Sequence, residues 1–256
     1  VDFNCPDCGK AIHFEAWTLL NAQKDPKAAQ RLIEGKLSEF TCPNCGYTSS
    51  LAHPCLYLDP EHNVFVYSVL DERMAGMAEE MFAEQPEGRR CRIVTSRLQL
   101  QDKAAIFMAG LDDRPMEILK TGITGQAKSQ GLVAEGEECE AYFTGIGDDG
   151  ELLFDIEIGD TTFTSSIDKG GYDLFASDLA KSSMAHDDPL YVDREWAHRA
   201  IDAIAAKEPS PLQEPDPSQR HQIRYFFEHK LLPQLFFEDK GEFVNAVLGD
   251  EGLLFR

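Results

Sequence analysis

Basic charge is scarce in this sequence. Only 24 lysines and arginines stand against 45 aspartates and glutamates, leaving a formal net charge of −21 over 256 residues. Nucleic-acid binding draws most of its affinity from Lys and Arg contacts to phosphate, so an acidic chain without a clustered basic footprint argues against DNA or RNA as a partner. The same field opposes attachment to anionic lipid. Also missing are an apolar run long enough to span a bilayer and a signal-like amino terminus. Together with an odd total of seven cysteines, these absences predict a reducing, cytoplasmic setting rather than a disulfide-stapled secreted protein.

Catalytic signatures are equally thin. Gly145-Ile146-Gly147-Asp148-Asp149-Gly150 has the glycines of a phosphate loop but neither its lysine nor its helix start, and too few acidic ligands for a calcium loop. It reads as a solvated turn. His62 sits in Asp59-Pro60-Glu61-His62-Asn63 and His53 precedes Pro54. A catalytic imidazole needs a nucleophile, a carboxylate or a metal with it, and the expected role of His62 is to cap its loop. An enzyme reading has to borrow Asp112, Asp113 or His62 and to place chemistry between an amino-terminal module and a later strand unit. No small-molecule ligand is indicated.

What the sequence does contain is a doubled pattern, Cys5-Pro6-Asp7-Cys8-Gly9 and Cys42-Pro43-Asn44-Cys45-Gly46. A two-residue spacer lets one tight turn aim both sulfurs at one ion, and the following glycine tolerates positive φ. Two such knuckles supply four thiolates, which fill a tetrahedral shell and leave no position for water or substrate. The expected site is therefore metal-binding and structural, with Cys5, Cys8, Cys42 and Cys45 as ligands of Zn²⁺. A redox dithiol would open a helix that lowers the first thiol's pKa. Here each glycine leads instead into a strand-like or turn-like run. Sulfur ligation also accommodates iron, and the sequence does not choose between the metals; availability favours zinc. With thiolates and one divalent ion in place of four thiols, the net charge becomes about −23. Cys55, Cys91 and Cys139 are solitary and read as small buried hydrophobes.

Around the knuckles, hydrophobic periodicity predicts an α+β chain. The stretch from Ile12 to Leu20 alternates as a strand. Asp25 and Pro26 open a helix that stops at Gly35, and Leu56–Leu58 and Val64–Val69 form a hairpin. Met74, Met77, Ala78, Met81 and Phe82 form one helical stripe, and Leu100, Ala104, Phe107, Met108 and Leu111 a second, with Ser96 as a cap and core packing as the purpose of both. Asp112-Asp113-Arg114-Pro115 turns the chain into a further helix through Met116, Leu119 and Ile123, making a helical hairpin. Three strands follow, at residues 138–144, 152–158 and 161–167, and the Asp168–Tyr172 run is expected to close them as a turn. Asp193 caps a helix through Trp196, Ala200 and Ile204. Pro209, Pro211, Pro215 and Pro217 mark a linker, and a last apolar helix carries Ile223, Phe226, Phe227 and Leu231.

This order of features resembles the CpXC-domain proteins of bacteria. The resemblance rests on the two Cys-Pro-x-Cys-Gly knuckles, Trp17 with Asp25-Pro26, Tyr57-x-Asp59-Pro60, and Arg92-Ile93-Val94 leading to Gly110-Leu111-Asp112-Asp113-Arg114. It spans roughly residues 3 to 130. It implies a zinc-ribbon-like fold and four cysteine ligands, and it implies no reaction. The expected organisation is a CpXC-like zinc-binding domain with a helical hairpin over 1–130, an antiparallel strand unit over 131–180, and a carboxy-terminal helical region over 181–256. The expected function is that of a zinc-stabilised scaffold or protein-interaction protein, with self-association through Phe226, Phe227 and Leu231 as one route to a partner.

Overall fold

The computed structural model describes residues 1–85 and 88–206. The chain divides into two compact units. The first comprises Val1–Asp113 with Asp188–Val192, and the second Arg114–Asp187 with the described residues from Asp193 onward. The proline linker and the apolar helix expected after residue 206 lie outside the described residues.

The first unit is built on a four-stranded mixed sheet in the order β3-β6-β7-β8, from β3 (Leu19–Asn21), β6 (Cys55–Asp59), β7 (Val64–Ser68) and β8 (Arg90–Val94). β6 and β7 form the expected hairpin, with Leu56 opposite Tyr67 and Asp59 opposite Val64. The strand period of two sorts their side chains to opposite faces. Cys55, Tyr57, Val64 and Val66 pack with Leu20, Leu32, Leu100, Ala104 and Phe107. Leu56, Phe65 and Tyr67 turn the other way, toward Ala78, Phe82, Cys91 and Ile93.

Three helices supply the residues that cover these faces. α1 (Pro26–Ile33) and α3 (Arg97–Met108) contribute to the first layer, and α2 (Glu72–Ala83) to the second. Ser96 caps α3 through its hydroxyl, which accepts the Gln99 N–H at 3.1 Å, and Asp71 caps α2 by accepting the Met74 N–H at 2.8 Å. Asp25 precedes α1 as expected but caps it with its backbone oxygen, which accepts from Ala28 and Ala29, and not with its side chain. Met77 departs from the expected core stripe and stands 60% exposed. Ala78 and Phe82, one turn apart, carry the packing of α2.

The expected single strand over Ile12–Leu20 is two. β2 (Ala11–His13) pairs antiparallel with β1 (Asp2–Asn4), whereas β3 pairs parallel with β6. The alternation runs through because both halves need it, but the segment between them changes partners. Phe14 packs beside the first knuckle, and Trp17 packs on the core of the sheet.

The second unit, taken alone, carries α4 (Asp113–Ser129, whose first residue belongs to the first unit), a meander of β9 (Cys139–Ile146), β10 (Leu152–Ile158) and β11 (Thr161–Ile167), and then α5 (Gly170–Lys181) and α6 (Arg194–Ala205). The sheet order is β11-β10-β9, antiparallel throughout, with a register shift at Leu153/Phe154. Phe143 and Phe154 meet edge to face at 5.8 Å. Asp193 caps α6 as predicted, accepting the Trp196 N–H at 2.9 Å, and the Trp196 indole donates to Asp187 at 2.8 Å. The Asp168–Tyr172 run does not close the unit as a turn. Gly170 and Gly171 begin α5, and burial of Tyr172 and Leu179 outweighs the poor helix propensity of two glycines.

Candidate metal centre

Each cysteine pair sits at the tip of a short hairpin. β1 enters the first knuckle and β2 leaves it; β4 (Glu39–Thr41) and β5 (Thr48–Ser50) flank the second in the same way. The two tips are built alike, bond for bond. The Cys5 N–H donates to the Lys10 carbonyl at 2.8 Å and the Gly9 N–H to the Cys5 carbonyl at 2.9 Å. The Cys42 N–H donates to Tyr47 at 2.8 Å and the Gly46 N–H to Cys42 at 2.9 Å. Gly9 and Gly46 have φ of +70° and +77°, and a Cβ at either would meet no atom within 4 Å. The backbone conformation therefore selects glycine there, not lack of space.

The hairpins share a small apolar base. Phe3 of β1 and Phe40 of β4 meet edge to face at 4.9 Å, with Ile12, Phe14 and Leu51 around them. That base brings the four sulfurs together. The ligand atoms of Cys5, Cys8, Cys42 and Cys45 all lie within 4.8 Å of one another, with Cys5–Cys45 and Cys8–Cys42 each at 3.7 Å. Sulfurs about 2.3 Å from a common tetrahedral centre would stand roughly 3.7 Å apart, so the donor set fits one soft divalent ion. The four thiols form a cluster capable of coordinating a metal ion. Among the described residues, no other group of three or more His, Cys, Asp or Glu side chains is so placed.

Local hydrogen bonds favour the ligating form at one position. The Lys10 backbone N–H facing Cys8, with Asn44 beside it, draws that thiol down to about 7. At Cys45 the Tyr47 N–H acts in the same sense, but burial and the three neighbouring thiols outweigh it and push the thiol up. A divalent ion reverses that ordering by deprotonating its ligands. The four cysteines also differ in access: Cys5 and Cys42 are buried, Cys8 is half-buried and Cys45 is exposed. The remaining cysteines behave as the sequence suggests, all three buried, with burial holding the Cys55 thiol up at about 12 and raising Cys91 and Cys139 as well.

The residues borrowed for the enzyme reading are engaged elsewhere. His62 donates its backbone N–H to Asp59 at 3.2 Å and meets the other Asp59 oxygen through Nδ1 at 2.7 Å, which closes the β6–β7 loop as a cap should. Asp112 pairs with Arg90 at 3.2 Å. His53 is held by Ser38 on Nε2 and by the Pro54 carbonyl on Nδ1, each at 3.1 Å.

Asp113 lies in a buried ion network that the sequence reading missed. Arg92 donates to both Asp113 oxygens at 2.7 and 2.9 Å, to the Cys91 and Pro189 carbonyls at 2.9 Å each, and to Asp188 at 2.5 Å. All five guanidinium N–H groups are thereby used. Lys103 adds a 3.0 Å pairing to Asp113 and donates to the Val192 carbonyl at 2.7 Å. Burial alone would raise the Asp113 carboxyl, but the Arg92 and Lys103 charges more than offset it and hold it far below the usual carboxylate range. The only trace in the sequence is an arginine between Cys91 and Ile93 in an apolar run, with paired aspartates about one helix later. Asp113 is fully buried and both its oxygens are held by Arg92 and Lys103, so the network organises structure.

Segment 188–192 completes the same region. The Leu190 carbonyl accepts the Ile93 N–H at 2.8 Å, the Tyr191 hydroxyl reaches Glu79 at 2.8 Å, and both side chains pack against the α2 face of the sheet. It covers the outer edge of β8.

Residues 3–120 match the protein family described as CpXC protein, a stretch that takes in both knuckles, the whole four-stranded sheet and Asp113. Searches among curated proteins and among solved structures give no match to the chain.

Proposed function

We propose, from the match of residues 3–120 to the CpXC family, that Cys5, Cys8, Cys42 and Cys45 hold one structural zinc ion. We further propose that the protein serves as a scaffold for protein contacts rather than as an enzyme. The observation that carries this reading is the composition of the cluster: four cysteine sulfurs within 4.8 Å of one another, with no His, Asp or Glu in the group. Four soft ligands complete a tetrahedron, so the ion has no open coordination position for water. The candidate acid and base residues supply no competing constellation, since each is committed to a structural partner.

A reducing compartment suits four free thiolates, and a cytoplasmic location belongs to the proposal on that ground. No helix among the described residues is long and apolar enough to cross a membrane. Protein partners, a second copy of the chain included, fit an acidic surface better than nucleic acid does. Native mass spectrometry of the full chain tests ion and assembly together. One zinc per chain is the expected result. Iron in its place overturns the identity of the ion, and a metal-free chain with all four thiols reduced overturns the site.

A further inference from the structure

β8 is an edge strand: the order β3-β6-β7-β8 gives it β7 on one side and, among the described residues, no strand on the other. What lies there is Asp188–Val192, a segment 96 residues beyond Arg92 and outside the stretch 3–120 that the family matches. Each of its residues is read by unit-one chemistry. Arg92 donates to the Asp188 carboxylate at 2.5 Å and to the Pro189 carbonyl at 2.9 Å, and Arg90 lies 3.6 Å from the same carboxylate. The Leu190 carbonyl accepts the Ile93 N–H of β8 at 2.8 Å, the Tyr191 hydroxyl donates to Glu79 of α2 at 2.8 Å, and the Val192 carbonyl accepts from Lys103 of α3 at 2.7 Å. Leu190 and Tyr191 also pack on the layer of Ala78, Phe82, Cys91 and Ile93. This is the pattern of strand addition to a sheet edge, where a main-chain bond gives affinity and side-chain contacts give specificity. The floor of the groove has its own support, since Arg92 holds both Asp113 oxygens and each sheet face has its own apolar layer. The segment is superficial by comparison. Asp188 is exposed and Leu190 and Tyr191 are half-buried, so it can leave without opening either layer.

We propose that this edge of β8 is a strand-docking groove for a second copy of the chain, in which Asp188–Val192 of each molecule seats on β8 of the other. The inference rests on the scaffold reading above and gives that scaffold its partner and its surface. Charge complementarity selects the occupant. On a chain of net charge −21, the groove presents Arg90, Arg92 and Lys103, and the segment answers with one carboxylate and three main-chain carbonyls. Every copy carries both the groove and the sequence that fits it, so a reciprocal exchange uses both grooves of a two-fold pair and closes. The contacts are the same within one chain and between two, which leaves concentration to decide. A tethered segment acts at an effective concentration on the order of millimolar, so dilute chains keep their own segment and chains that fold together at high concentration exchange it.

The first test titrates a fluorescent synthetic peptide of residues 186–194 against the full-length chain, as wild type and as the double variant Leu190→Ser/Tyr191→Ser, which frees the groove. By anisotropy, the freed groove should bind the peptide at least about tenfold more tightly than wild type, whose own segment competes. A peptide carrying Asp188→Asn should bind it at least about tenfold more weakly, through loss of a charge-assisted bond. The second test needs no variant of the chain. Isotope-labelled and unlabelled wild type, unfolded and refolded together at high concentration with zinc and a reductant, should give mixed dimers in native mass spectrometry. Excess peptide 186–194 present during refolding should suppress them, and the Asp188→Asn peptide should not. Dimers indifferent to the peptide are built on another face and overturn the inference, as do a chain that stays monomeric throughout and a freed groove that binds both peptides alike. Each of these leaves the metal site standing, because the zinc content of the same spectra judges that reading separately.

Discussion

The two knuckle hairpins and the four-stranded sheet belong to the same compact unit, yet they are held by different means. The hairpins have three-residue strands, mostly exposed, and their buried side chains are Cys5, Ile12, Phe40 and Cys42. Two-stranded pieces of that size are marginal by themselves. The sheet has apolar layers on both faces and a buried, fully paired arginine beside its edge strand. On the proposal that the cluster holds zinc, four sulfurs do for the first region what apolar burial on both faces does for the second. A region with too few large side chains to build a core can still be specific in shape if its ligands are.

The largest effect that separates the regions should come from the metal. Removing it with a chelator, or replacing Cys42 with serine, should abolish hydrogen-exchange protection in 1–14 and 39–51 while β6, β7 and β8 keep theirs. Binding free energies of structural zinc run to about 10–16 kcal/mol in small zinc domains, far more than these hairpins can recover from packing. Unchanged protection in Cys42→Ser would show that the hairpins stand without the cluster.

Next in size is Asp113→Ala, which leaves Arg92 and Lys103 buried with one carboxylate fewer. The expected loss is about 3–5 kcal/mol in urea unfolding of the sheet, with metal content unchanged. Equal loss of metal and sheet would mean that the two regions fold as one and that the contrast drawn here is wrong.

Acid should take the regions apart in order. Thiolates must give up their ion to accept protons, so metal is expected to leave first as pH falls. The Asp113 carboxyl is depressed in the folded chain, so its contribution is fully present above its ordinary value of about 3.9 and is lost only as pH drops below that, toward the folded value. A titration that follows metal content and sheet circular dichroism together should show two separate steps. Coincident steps would remove the distinction.

At the small end, Met77→Lys should change stability by no more than about 0.5 kcal/mol, because that side chain belongs to no packed layer. A loss of 2 kcal/mol or more would place it against a surface that the described residues do not include.

How much of this was legible in the sequence follows the same division. The thiol cluster is local chemistry at fixed spacing, and its four residues could be named from two pentapeptides. Helix caps at Ser96 and Asp193 and the turn between Ile158 and Thr161 were legible for the same reason, since the signal and its effect lie within a few residues. Ile12–Leu20 was misread as one strand because alternation reports that a strand-like stretch is half-buried and not which sheet buries it. The α5 helix was hidden by Gly170-Gly171, whose turn preference gave way to burial of Tyr172 and Leu179. The ion network was out of reach altogether. Arg92 and Asp113 are 21 residues apart and Asp188 is 96 residues from Arg92, and no periodicity links them.

That last separation bears on how the protein is made. β8 pairs with β7 on one side only, and the segment that takes up the Ile93 N–H on its other side emerges from the ribosome long after it. At translation speeds of about 5–20 residues per second, the 96 residues between Arg92 and Asp188 amount to roughly 5–20 s. Throughout that interval the nascent chain carries an open strand edge and a guanidinium that lacks its second carboxylate. The risk of mispairing with a neighbouring chain is thus concentrated in synthesis, and it ends when residues 188–192 arrive.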